Sequence, residues 1–489
     1  MSTSKPVSTV SRQPVLRRPV SRRALLRRSA LGFGALGLMG VMAEDNNLFA
    51  APAVMNPLDA REPHFAPKAK SVIFLFMHGG VSHIDSFDPK PRLDADHGKP
   101  LPFKKSLQFA DRHVGGLMKS PFPFKRCGDS GIPVSSLFPH VGGVVDELCV
   151  IRSMVGDGVD HGAAMLQLHT GTFSFTRPSM GSWVVQGLGT ENRNLPGFIT
   201  IKPTLWHGGE KNWSSSFLPG AYQGTPIGNS FMDVKDIEAE PIAYLAHERL
   251  TSEQQRYELD MLRKVNHLHQ RERREDPHLE ARIQALELAF RMQAEAPEAL
   301  DVERESEATR KLYGLDHPLT RDFGWQCLLA RRFVERGVRF VQCTHSGMEE
   351  KWDHHSELAK LHYASAREID KPMAGLIRDL KSRGLLEETL VVWGGEFGRT
   401  PFAEADGRDH NPYGYSIWMA GGGVKPGFIY GATDDFGYHA VEDRMHIHDL
   451  HATILHLLGL DHTRLTYHYG GRDFRLTDVA GNVAHKLMA

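Results

Sequence analysis

Six short apolar runs punctuate the chain, at 71–77, 148–151, 198–201, 338–343, 389–393 and 415–420. Each is largely apolar instead of alternating, which is the pattern of a strand covered on both faces. The first runs into Gly79-Gly80, a sharp stop. Segments of helical period separate several of the runs. In 366–382, Ile369, Met373, Ile377 and Leu380 form one stripe, and Gly384 supplies its end. Double-faced strands alternating with helices predict an α/β fold, an open and mostly parallel sheet between helical layers. Ligands in such folds bind beyond the strand ends.

One segment interrupts the alternation. About 242–312 is charged, free of glycine and helical in period, with Leu279, Ile283, Leu286 and Phe290 as its apolar stripe, and it reads as a helical insertion. Upstream of the first run, 44–69 is rich in Pro and Ala and reads as an extended arm leading into an α/β domain over 70–489. Residues 1–43 carry eight basic side chains and no acidic one, followed by an apolar stretch and small residues. That order is an export signal, too short in its apolar part for a bilayer span. Ser21-Arg22-Arg23-Ala24-Leu25-Leu26 resembles the twin-arginine signal, which implies a periplasmic or extracellular protein with no stable membrane span after cleavage.

The chain holds 58 basic and 59 acidic residues, so removing the basic leader leaves an acidic remainder, which argues against a nucleic-acid partner. Four cysteines without a C-x-x-C exclude a zinc ribbon or a disulfide scaffold. Histidine is the informative residue: 27 occur, many beside Asp, Glu and Gly after apolar runs. The groups are His78-Gly-Gly-Val-Ser-His83-Ile-Asp85, Asp160-His161, Trp352-Asp353-His354-His355, Gly394-Gly-Glu396-Phe-Gly-Arg399 and Arg408-Asp409-His410. Imidazole with carboxylate and almost no thiolate suits a divalent metal ion: Zn, Mn or Fe, with Ca and Mg as oxygen-favouring alternatives. Arg399 suits a bidentate grip on a sulfate or phosphate, or an ion pair with Glu396 or Asp409. His446, His448, Asp449 and His451 look like ligands by composition, yet Leu450, Ile454, Leu457 and Leu458 mark an amphipathic helix there, which favours a structural role.

These motifs, with Arg177-Pro-Ser-Met-Gly-Ser-Trp183 and the stretch 448–459, resemble the exported, sulfatase-like proteins of domain-of-unknown-function family 1501 from about residue 70 onward. The resemblance implies the alkaline phosphatase superfamily: a three-layer α/β/α sandwich and metal-dependent cleavage of phosphate or sulfate esters. It places metal ligands at His78 (where the superfamily has an aspartate) or Asp85, at Asp353 and His355, at Glu396, and at His410, while Phe397 stands where a second ligand would follow Glu396. The nucleophile position, nine residues before Thr170-Gly171, falls on His161, an imidazole able to act as nucleophile, as base for water or as metal ligand, at a helix start whose dipole would lower its pKa, with Asp160 beside it to orient the ring. No C-x-P-x-R or S-x-P-x-R occurs, so formylglycine chemistry is excluded. Two functions follow as expectations: a hydrolase of small-molecule or polysaccharide anionic esters, or a non-catalytic glycan-binding protein on the same fold.

Overall fold

The computed structural model describes residues 56–104, 114–242, 245, 249–272 and 277–489, with side chains left out at 267–281. The expected export signal lies outside the described residues. Strand β1 (Ser71–Met77) is buried at all seven positions. Its parallel neighbours are β5 (Phe340–His345) and β6 (Thr389–Gly394), drawn from far downstream. Beyond β5 lie β3 (Phe198–Ile201) and the edge strand β4 (Thr225–Ile227), both parallel. On the other side, β6 pairs with β9 (Tyr415–Ala420), then β2 (Leu148–Val155), and β2 carries β10 (Phe428–Tyr430) and β11 (Met445–His446). Of these nine strands only β9 runs antiparallel to its neighbours. The sheet is therefore mostly parallel.

Side-chain contacts of β1 show that both faces are covered. Phe74 and Phe76 pack their rings 5.8 and 4.8 Å from His169 in helix α1 (His161–Thr170). On the opposite face, Leu75 is in register with Cys343, whose thiol lies 3.4 Å from the Gln326 carbonyl of helix α5 (Pro318–Glu335). Successive residues of a strand point to opposite faces, so the sheet is sandwiched between helical layers. Helix α6 (Leu358–Ser382) buries Ile369, Met373, Ile377 and Leu380 and is followed by Gly384 at φ +70°. It starts before the stripe that announced it. All four cysteines are buried free thiols.

Between β4 and α5 run the long helices α3 (Ser252–Glu272) and α4 (Pro277–Leu300). The buried side of α4 carries Ile283, Leu288, Met292, Ala296 and Ala299, whereas Leu286 is 50% exposed. The expected stripe is rotated because Glu287 takes part of the covered face, held by the Arg256 guanidinium at 2.9 and 3.0 Å. Residues 56–69 contain no helix or strand and lie along the body: Leu58 is buried, and His64 N–H donates to the Gly459 carbonyl at 2.9 Å. Helix α7 (Ile447–Leu457) closes the C-terminal part.

Candidate metal centre

The ends of β1, β5 and β6 meet the start of α1 and a hairpin made of β7 (Gly398–Glu404) and β8 (Gly407–Asn411). Close approach here depends on Gly79 and Gly80, at φ +113° and +76°. A Cβ on Gly79 would sit 2.6 Å from the Asp353 nitrogen, and one on Gly80 would sit 2.6 Å from the Phe397 ring. No side chain fits, and the left-handed backbone suits glycine in any case. The Gly79 N–H donates to Glu396 Oε1 at 3.0 Å, which fastens β1 to the loop after β6.

Four nitrogens crowd one oxygen. Asp353 Oδ1 lies 2.6 Å from Arg399 Nη2, 2.9 Å from His355 Nε2, 3.1 Å from His410 Nε2 and 3.3 Å from His161 Nε2. The other nitrogen of each ring faces a separate oxygen: His161 Nδ1 meets Glu396 Oε1 at 2.6 Å, His355 Nδ1 meets Glu404 Oε2 at 2.5 Å, and His410 Nδ1 meets the Val159 carbonyl at 2.8 Å. A carboxylate or carbonyl at Nδ1 holds the proton there and turns the Nε2 lone pair toward a common point. This is the outer arrangement that orients metal-ligating histidines. A four-coordinate ion with bonds of about 2.0–2.1 Å sets its donors roughly 3.3 Å apart. The distances from Asp353 Oδ1 to the rings and the 3.3 Å between His355 Nε2 and His410 Nε2 lie near that value, and the donors fall into two groups that share His410: His161 with Asp353, and His355 with Asp409.

A second group adjoins the first. His78, fully buried, stands with His207 and Glu350, their ligand atoms within 4.8 Å of one another. The His161 ring lies 6.2 Å from that of His78 and 5.2 Å from that of His207. His207 hydrogen-bonds Glu350 and has φ +51°. His78 Nδ1 contacts Ser346 Oγ at 2.8 Å, while His78 Nε2, His161 Nε2 and Glu396 Oε2 are buried with no aligned hydrogen-bond partner. Buried polar atoms left without partners are costly, and a cation satisfies all three. The residues therefore fit a divalent ion, with neutral imidazole and carboxylate as donors.

Charge in the centre is balanced by protons. Burial on its own would lower the pKa of His161, but the Asp353 and Glu396 carboxylates outweigh it and raise it to about 9. The expectation that a helix dipole lowers it is corrected: two carboxylates in contact exceed a partial charge. Burial would raise Asp353, yet the facing His161, His355 and His410 rings and the charge of Arg399 hold it far below the usual carboxylate range. Burial lowers His410, and it lowers His78 to about 4, so both are neutral near pH 7.

Of the residues singled out in the sequence, His161, Asp353, His355 and His410 come together, Glu396 supports them, and His78 belongs to the adjoining group. Asp85 lies elsewhere. It is fully buried in a bidentate pair with Arg408, at 2.7 and 3.2 Å, and takes a hydrogen bond from Ser82. Arg399 is also fully buried, donating to the Gly79, Gly80 and Arg408 carbonyls and to Asp353, so its partner is neither Glu396 nor Asp409 and its fork is already committed. Asp160 caps α1, accepting from Ala163 N–H at 3.0 Å, and the ring of His161 is oriented by Glu396 instead. Phe397 packs 4.3 Å from His410 and 4.9 Å from His161, centroid to centroid, walling the centre. Sequence reasoning passed over His207, Glu350 and Glu404. His207-Gly208-Gly209 repeats the His-Gly-Gly of 78–80, a signal that was present.

The family described as protein of unknown function DUF1501 matches residues 69–488, and the chain belongs to it. No curated protein matches the chain. Among solved structures, the PsFucS1 sulfatase from Pseudoalteromonas sp. is similar at 13% identity and a TM-score of 0.35, covering 82% of this chain and 68% of that one. The phosphonate monoester hydrolase SpPMH from Silicibacter pomeroyi is similar at 12% identity and a TM-score of 0.32, covering 66% and 68%. A TAB5 alkaline phosphatase mutant is similar at 10% identity and a TM-score of 0.32, covering 81% and 99%.

Proposed function

We propose that this DUF1501 protein is an exported, metal-dependent hydrolase of sulfate or phosphate esters. The observation that carries the reading is the convergence of three histidine Nε2 atoms on Asp353 Oδ1, each ring with its Nδ1 held by a separate oxygen. His161, Asp353 and His410 would hold one ion, with His355 and Asp409 grouped beside it around His410, and His78, His207 and Glu350 a second. Bound divalent ions supply Lewis acidity toward ester oxygens and acidify a water molecule.

The protein's own groups set the conditions for that chemistry. Glu396 and Glu404 fix the ring tautomers. Arg399 ties Asp353 to the carbonyls of Gly79 and Gly80 and so positions the loop that carries two ligands. His161, protonated to about pH 9 when alone with its carboxylates, gives up a proton for an ion or keeps it as a donor to an anionic ester. Export is supported by the ordered basic, apolar and small-residue tracts in 1–43; among the described residues no helix is long and apolar enough to cross a membrane.

A panel of sulfate and phosphate esters on metal-reconstituted protein, with elemental analysis, tests the reading. Turnover of one ester class with roughly stoichiometric metal supports it; failure to take up metal overturns it. Phe397, filling the space against His410 and His161, favours a second reading in which an anionic glycan is bound without turnover. Metal and ester binding with no product would select that one.

A further inference from the structure

The chain has seven tryptophans, and six of them are at most 3% exposed. Trp206 is the exception at 47%. It immediately precedes His207, and its ring lies 6.5 Å from that imidazole. Phe231, 40% exposed, meets it edge to face at 6.3 Å and 84°. Leu205 and Met348, two residues before Glu350, are 48% and 70% exposed. Large apolar side chains left in water beside a polar centre mark a binding surface.

Local structure holds the indole there. The Trp206 backbone N–H donates to Thr204 Oγ1 at 3.2 Å, and the next three residues have φ of +51°, +104° and +50°. This turn sends His207 inward and leaves Trp206 outside. Asn212 Nδ2 pins the His207 carbonyl at 3.1 Å, and Asn229 Oδ1 accepts from Phe231 N–H at 3.0 Å.

We propose that Trp206 and Phe231 form a platform that stacks one sugar ring of a glycan ester, with its ester group directed at the neighbouring His207–Glu350 group. The proposal rests on the hydrolase reading for the ester and not for the sugar. An aryl group is best taken into an enclosed apolar slot, whereas this surface is open. A pyranose offers an apolar C–H face to the indole and keeps its hydroxyls hydrated on the other side.

The single exposed tryptophan provides the readout. Acrylamide quenching of intrinsic fluorescence is measured on the full chain with neutral hexasaccharides of glucose and galactose, and with p-nitrophenol. Protection of Trp206 by a hexasaccharide in the parent, lost in Phe231→Ala, which keeps the indole as reporter, supports the platform. Protection by p-nitrophenol alone, or by no hexasaccharide, overturns it. For an esterified oligosaccharide, Trp206→Ala should raise KM about 10-fold more than it does for a small ester; an equal loss on small esters overturns the proposal. Protection without turnover of any ester would refute the hydrolase reading and leave the platform standing. Turnover of small esters without protection would do the reverse.

Discussion

Two regions of this molecule are rich in histidine and carboxylate, and only one is arranged to hold a metal. Around Asp353, each of three rings spends its Nδ1 on an oxygen and turns its Nε2 inward. At the start of α7 the order is reversed. His448 Nε2 contacts the Gly171 carbonyl and His451 Nε2 the Leu168 carbonyl, both at 2.7 Å, while His446 Nε2 meets Asp157 at 3.0 Å. Asp449 and His446 complete a capping box. The nitrogens there point at separate partners, tying α7 to α1 and its flanks. What distinguishes a ligand from a structural histidine is where its second nitrogen goes, and composition does not record that.

The comparison is broken most sharply by removing a convergent ring. His410→Ala should abolish stoichiometric metal and reduce turnover by at least about 100-fold, whereas His448→Ala should keep full metal by elemental analysis. A weaker blow is to remove the outer partner: Glu404→Gln should lower metal affinity about 10- to 100-fold in a chelator competition while leaving the fold intact. Equal affinities for that variant and the parent would show that the rings orient themselves.

Acidity sharpens the contrast further. The folded pKa of His161, about 9, lies above its ordinary 6.5, so its proton stabilises the metal-free fold fully below about pH 6.5 and that contribution is lost as pH rises through about 9. An ion must displace this proton, so apparent metal affinity should rise by up to about tenfold per pH unit across that interval, with proton release seen by calorimetry. His451, lowered to about 3 by burial, should contribute no such release. Its role should appear in stability instead: His451→Ala should cost about 2 kcal/mol through a lost buried hydrogen bond and a cavity, measured by denaturant unfolding, with metal content unchanged. The smallest effect belongs to Asp160→Ala, which removes the cap of α1 at a cost of about 1 kcal/mol without removing a ligand.

The double-faced strands were legible because burial on two sides leaves no polar alternation to confuse the reading. The helical stripe of 366–382 was equally plain, while that of α4 was misread at Leu286, because the charged Glu287 lies on the covered face through its pair with Arg256. Asp353, His355 and His410 stood out through their company of Asp and Gly after apolar runs. Asp85 carried the same signal, but its bidentate partner Arg408 lies 323 positions away. Glu350 was hidden for a related reason: it is unremarkable in its own segment and acquires meaning only when the ends of β3 and β5 are set side by side, where it meets His207.

The position of β1 in the sheet governs when this molecule can come into being. The strand emerges early in synthesis, yet both its neighbours, β5 and β6, are encoded more than 260 residues later. At ribosomal rates it waits on the order of tens of seconds for them. Throughout that interval six consecutive apolar side chains and two unpaired backbone edges have no native place to go. The nascent chain is thus a natural client for holding chaperones, and its demand on them ends only when residue 394 has left the tunnel.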